Sequence, residues 1–329
     1  MANVPISLAI GPYDHVRDVL DGSVPVAGAD LTVLRLPIEE IFYRFTFHRE
    51  FDISEMSFAK IVALASQDDR HFVPLPIFPS RVLRHSSIYV RADGPLTSPA
   101  GLAGKRIGVP EWAQTAAVYS RGMLAHDHGV DLASIHWYQA GVNEPGRVEK
   151  VKLRLPDGLR LTVVKDRSLS QMLLDGDLDA VLSARPPAPF TARDPRVRRL
   201  VDDWRGAEED YLRRTGIFPI MHVVAMRREV HERHPWLAMN LCKAFDEAKA
   251  RSVERLADVT ASYVPLPWTP SHLEAARALL GPDPWPYGVE PNRVTLDAFL
   301  RYAFEQGVCH RLLTTDELFP PEVATRYKV

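Results

Sequence analysis

With 329 residues, 46% of them apolar and 25% charged, the chain is an ordinary globular sequence long enough for two domains. Forty basic against forty-two acidic side chains leave a formal charge of −2, too weak a field to hold nucleic acid or an anionic membrane, so neither is an expected partner. Cys242 and Cys309 stand far apart with no Cys-x-x-Cys, which excludes a disulfide framework and a thiolate zinc site.

The N-terminus has no basic region, no long apolar run and no small-residue cleavage site, so a cytoplasmic location is expected. Ile6 to Ile10 reads as a strand broken by Gly11-Pro12, and His15 to Leu20 as a short helix. Leu31 to Leu36 is a second strand, followed by helical spacing at Ile38, Ile41, Phe42 and Phe45. Phe51 to Glu55 is a third, after which Ser57 is a natural N-cap for a helix carrying Ile61, Val62 and Leu64. Strands alternating with helices at this spacing point to a parallel α/β sheet.

The apolar run Phe72 to Phe78 leads into Pro79-Ser-Arg-Val-Leu-Arg-His-Ser-Ser-Ile-Tyr-Val-Arg91. Ser80, Arg81, Arg84 and His85 concentrate anion-binding groups here. Two guanidiniums three residues apart on a turn can hold carboxylates bidentately, beside a histidine whose proton is mobile near neutral pH. The alternative is that both arginines form structural ion pairs between domains.

A second unit then begins. Lys105 to Glu111 is a turn and a strand, Trp112 to Gly129 a helix, and Ile135 to Tyr138 another strand. Two alternating runs around Pro156-Asp157-Gly158 predict a hairpin over residues 151–164. Leu169 to Leu174 is helical, and Asp179 to Ala184 is a strand running into Arg185-Pro186-Pro187. From Gly216 an apolar strand leads to helices over Pro235 to Leu256, Ser271 to Leu280 and Pro291 to Gly307. Residues 91–216 therefore read as a lobe inserted between 1–90 and 217–329. Crossing strands near 86–91 and 217–226 form the hinge, and a ligand cleft lies between the lobes.

Lys105-Arg-Ile-Gly-Val-Pro-Glu with Thr115, the segment Asp175-Gly-Asp-Leu-Asp-Ala-Val-Leu and the two crossings resemble a type 2 periplasmic-binding-protein fold with a helical C-terminal region. The stretch Phe78 to Val90, Gly108-Val-Pro-Glu-Trp, Arg121-Gly-Met-Leu, Pro286-Tyr-Gly-Val-Glu-Pro-Asn-Arg and Leu300-Arg-Tyr resemble the 4,5-dihydroxyphthalate decarboxylases. That resemblance spans the whole chain and implies a carboxy-lyase converting an aromatic dicarboxylate to protocatechuate and carbon dioxide, with no organic cofactor. No metal is expected: His15, Glu55 and His85 could meet around one, but their separations form no recognised ligand motif. The partner is then a small aromatic dicarboxylate; assembly into a homo-oligomer is compatible with the sequence.

Such chemistry needs an acid for the ring carbon and cations for two carboxylates. His85 is the first expectation for the proton donor. His15 is the second, on the turn after the first strand, with a water-facing helix-terminal role as the alternative. Glu55 supports as a proton acceptor. Arg81 and Arg84 form the expected clamp, with Ser57 and Ser80 beside it. From the second lobe the turn before the helix brings Trp112, Gln114 and Thr115 with backbone N–H groups, Trp112 either stacking on the substrate ring or covering apolar surface. Arg185 is a further cleft candidate, and His222, with Tyr138 and Asn143, can line the cleft floor, packing being the alternative for each. A non-catalytic receptor or sensor for a small aromatic or dicarboxylic acid is the rival reading, against which the missing export signal counts.

Overall fold

A computed structural model describes residues 2–324. Eleven strands form two sheets among these residues. The first contains β1 (Val4–Ala9), β2 (Ala29–Leu34), β3 (Ile53–Ser57), β4 (Phe72–Arg81) and β11 (Ile220–Arg227), in the order β2-β1-β3-β11-β4. The second contains β5 (Ile88–Arg91), β6 (Arg106–Val109), β7 (His136–Gln139), β8 (Arg160–Val163), β9 (Ala180–Leu182) and β10 (Val197–Arg199), in the order β10-β5-β9-β6-β7-β8. Strands β1, β2 and β3 are parallel, as are β6 to β9 among themselves, whereas β11 and β5 run antiparallel to their neighbours.

The chain passes between sheets after β4 and returns before β11, so the crossings lie at 82–87 and 216–219 rather than within the strands expected to carry them. They run side by side, Val82 N–H donating to Pro219 O at 3.2 Å. Helix Trp204–Thr215 leads into the second crossing. Asp203 caps its start by accepting from Gly206 N–H at 3.0 Å, and Gly216 ends it at φ 66, a left-handed position that glycine adopts without strain.

Strand β4 carries Pro74, Pro76 and Pro79, and its place at the sheet edge explains why they are tolerated. Its outer edge is not left bare: Pro76 O accepts from Gly288 N–H at 2.8 Å, binding the helical C-terminal region to the sheet. One apolar core runs beneath both sheets, from Leu8 and Phe58 in the first to Trp112 and Trp137 in the second. Among the described residues no helix is long and apolar enough to cross a membrane.

The hairpin over 151–164 does not form. Residues 160–163 alone make a strand, parallel to β7. The run from Val151 to Leu155 instead crosses to the other part of the molecule, where Arg154 N–H donates to Gly307 O at 2.8 Å and Lys152 O lies 2.9 Å from His310 Nε2. Its alternate apolar side chains Val151, Leu153 and Leu155 pack on the core, and that satisfies the alternation without a partner strand.

Candidate active site

The end of β1 and the following loop, the end of β3 and the start of β11 meet at one corner of the first sheet. His222 sits in register with Ser57 on β3 and Ser80 on β4. Glu55, fully buried one turn of the pleat below, collects three donors on its carboxylate. Gly11 N–H reaches Oε2 at 2.8 Å, and Tyr13 Oη and His222 Nδ1 each lie 2.6 Å from Oε1. Gly11 is required by this closeness, since a Cβ there would meet the Tyr13 ring at 2.8 Å and Glu55 Oε2 at 3.3 Å. Burial first, and then the neighbouring Glu55 charge, raise the Tyr13 phenol far above its ordinary value, so it stays a donor. With Nδ1–H committed to Glu55, the tautomer is fixed and Nε2 is the His222 nitrogen left to the cleft. Phe42 meets the His222 ring edge-on at 4.9 Å, holding it from the other side.

In front of His222 lies a cleft of about 340 Å³ between the sheets, within the range of small-ligand sites. Ser57, Lys60, Ser80 and Arg84 line it from the first sheet; Gln114, Thr115, Arg147, Lys150 and Arg185 line it from the second. Ser57 Oγ and Thr115 Oγ1, 3.0 Å apart, join the two walls, and Ala59 N–H also donates to Thr115 Oγ1 at 3.0 Å. Three buried polar atoms on these walls have no hydrogen-bond partner: Arg84 Nε, Gln114 Oε1 and Ser183 Oγ. Buried polar groups are seldom left unpaired, and here they surround a cavity. Burial pulls the Arg84 guanidinium down to about 10 and the Lys60 ammonium to about 8, the latter opposed by the Glu111 charge. Glu111 takes Arg147 at 2.7 Å and Lys150 at 3.2 Å, and Glu39 takes Arg185 at 2.5 Å across the cleft mouth. The cations thus outnumber the carboxylates, which suits an anionic ligand with an apolar body lying against Ile38 and Phe42.

No family model matches the chain. The chain is 38% identical over 330 residues to a 4,5-dihydroxyphthalate decarboxylase of Comamonas testosteroni, covering 100% of both proteins. It belongs to the 4,5-dihydroxyphthalate decarboxylase family. A decarboxylase of the same name from Pseudomonas putida is 39% identical over 214 residues, 65% of this chain and 83% of that protein. Among solved structures, the periplasmic aliphatic sulphonate binding protein SsuA from Escherichia coli aligns over 98% of this chain and 99% of its own, with TM-score 0.55 and 11% identity. The alkanesulfonate-binding protein SsuA from Xanthomonas axonopodis pv. citri aligns over 97% and 99%, with TM-score 0.51 and 14% identity. These likenesses give the fold, type 2 periplasmic-binding-protein-like, and no more.

In this decarboxylase-family chain, Arg84, Ser57, Ser80, Gln114, Thr115, Arg185 and His222 face the common cleft. Glu55 does not, but touches His222 from behind. Four expected residues sit elsewhere. Arg81 turns away from the cleft: its guanidinium donates to Phe218 O at 3.0 Å, Pro286 O at 2.7 Å and Asn292 Oδ1, and lies over the Phe78 and Phe218 rings. Trp112 is fully buried, donating from Nε1 to Gln306 O at 2.7 Å with Arg121 3.7 Å above its ring, so it stacks on no substrate. His15 is held by Trp285 and Tyr13 and lies 3.0 Å from Pro79 O through Nε2; burial pushes it down to about 4. His85 does not line the cleft that Arg84 lines; its ring lies edge-on to Tyr211 at 5.2 Å and beside Asp127 and His128. Burial pushes it, too, down to about 4.

Lys60, Arg147, Lys150 and Glu111 were not anticipated. Lys60 follows Ser57 by three residues on the same helical start, a spacing that places it beside the cap, so the signal was present. Arg147 and Lys150 come from a segment with no regular structure and carried none.

Proposed function

We propose that the chain decarboxylates 4,5-dihydroxyphthalate to protocatechuate, with His222 as the proton donor and Glu55 and Tyr13 as its support. The observation carrying the reaction is the 38% identity along the whole chain to a decarboxylase of that name. The residue assignment rests on the cleft's one histidine with a buried carboxylate behind it.

Arg84 and Lys60 bind the carboxylates, with Arg147 and Lys150 opposite, by charge-assisted contacts in a site partly removed from water. The ring carboxylate cannot simply leave, because its electron pair would occupy an sp² orbital outside the aromatic system. A hydroxyl stands para to each carboxylate in this substrate. Loss of that hydroxyl's proton to water pushes electrons to the carboxylate-bearing carbon, which takes a proton from Nε2 of the doubly protonated His222 ring and becomes tetrahedral in a dienone. The bond to the carboxylate then breaks, its electron pair restores the ring and the phenolate, and carbon dioxide departs. His222 is left with Nδ1–H toward Glu55 and regains its Nε2 proton from water. The net change consumes one proton and releases one carbon dioxide, so no oxidant or electron sink is required.

The test is incubation of the purified chain with 4,5-dihydroxyphthalate, following protocatechuate by chromatography and ultraviolet absorbance. Catalytic product formation is expected. Saturable binding with no product would replace the enzyme by a receptor for aromatic dicarboxylates.

A further inference from the structure

Behind the cleft, where the first crossing turns into β5, His85 meets the C-terminal end of helix Thr115–His126. One ligating atom each from His85, Asp127 and His128 lie within 4.8 Å of one another. His85 Nδ1 and His128 Nε2 are both buried without a hydrogen-bond partner. Two orphaned imidazole nitrogens on rings that border one carboxylate are not explained by packing, because each unpaired buried nitrogen is a cost that a water-exposed rotamer would avoid.

We propose that His85, Asp127 and His128 bind a divalent metal ion of the zinc class, which clips the crossing segment to the far end of the cleft helix. The carboxylate is already divided for this role. Asp127 Oδ1 accepts from Arg214 at 2.6 Å, while Oδ2 lies 3.6 Å from His128 Nε2. Arg214 is in turn held by Asp210 at 2.7 Å, which offsets its charge and fixes the carboxylate as an outer partner does in metal sites. Two imidazoles and one carboxylate suit Zn²⁺, Co²⁺ or Ni²⁺ rather than Mg²⁺ or Ca²⁺, which prefer oxygen alone. A tetrahedral ion about 2 Å from each donor draws the three slightly closer and leaves a fourth position for water. The half-buried His128 ring, 26% exposed, supplies the entry path.

The site is distinct from the cleft. Thr115, which joins the two cleft walls, opens the helix, and Asp127 and His128 follow its last residue. The ion would therefore set where that helix rests against the hinge without touching the substrate.

The experiment is a calorimetric titration of the chelator-stripped full chain with zinc chloride, repeated with cobalt chloride and read by visible absorbance. One equivalent of zinc is expected to bind and to raise the thermal midpoint, and cobalt is expected to give the intense visible bands of a tetrahedral ion. His128→Ala and His85→Gln should each weaken zinc binding by about a hundredfold and abolish the thermal shift, whereas His222→Ala should bind zinc as the unsubstituted chain does. Should His85→Gln fail to fold, His128→Ala, at the less buried ring, decides. No zinc binding by the unsubstituted chain, or unchanged isotherms in the variant that folds, overturns the proposal. Loss of binding in His222→Ala alone would place the ion in the cleft and overturn it equally.

Discussion

Arg81 and Arg84 stand three residues apart, are buried to similar extents, and have opposite surroundings. Arg81 reaches two carbonyls and an amide oxygen and rests on aromatic faces, so its charge is spent within the protein. Both leave Nε without a partner, but Arg84 otherwise meets only the Met221 thioether and lines the cleft. The histidines divide the same way: His15 is committed to Pro79 O, whereas His222 offers one nitrogen to the cavity. Neither burial nor a single unpartnered atom distinguishes a structural from a functional polar residue in this molecule; what does is how many protein acceptors the group already meets and whether it lines the cleft.

The largest effect expected from this division is at His222. His222→Ala should lower turnover by about 10²–10⁴-fold, with substrate affinity changed far less, as read by steady-state kinetics and calorimetry. Equal losses in both would make His222 a binding residue. Arg81→Ala strands three acceptors and should cost about 3 kcal/mol of stability in a denaturant titration, with KM little altered in the protein that folds. Arg84→Ala should do the reverse, weakening substrate binding by about 2 kcal/mol while leaving the denaturant midpoint near its original value. If the two arginines gave the same pattern, partner saturation would carry no functional meaning here.

His15 adds a pH test on the structural side. Its folded value of about 4 lies below the ordinary 6.5, so the folded state binds fewer protons than the unfolded chain. The stability tied to its neutral form is complete above about pH 6.5 and is lost as pH falls toward 4, up to about 3 kcal/mol. Denaturant midpoints between pH 7 and 4 should show this slope, and His15→Gln should reduce it, leaving the part that His85 contributes. The smallest effect is expected at Lys60: because burial holds it at about 8, substrate affinity should decline as pH rises past that value, and Lys60→Arg should move the decline upward.

Much of the fold was legible because hydrophobic period is a local property. The alternation of apolar runs and helical spacing located β1, β3, helix Phe58–Ser66 and helix Leu169–Leu174 closely, and Pro235 stands where the sequence put a helix start. The same signal failed over Val151 to Leu155, where alternation reports that one side is buried but not against what. Of the site, Ser57 and Thr115 could be named because strand ends and helix starts attract ligands in open α/β sheets, and Arg84 because a guanidinium fork suits a carboxylate, whereas at His222 packing was an equally adequate reading. The directions in which Arg81, Arg84 and His85 leave one short turn could not, since neighbouring residues diverge according to what packs on each side.

Composition and periodicity thus determined that this chain is a two-lobed α/β protein, while the Pro79 to Arg91 stretch raised the expectation of an anion site without fixing which of its side chains would face one. Only the tertiary structure decided which histidine meets a carboxylate. Glu55 and His222 are 167 residues apart, and what joins them is the insertion of β11 beside β3, a strand pairing set by the burial of whole strands rather than by either residue.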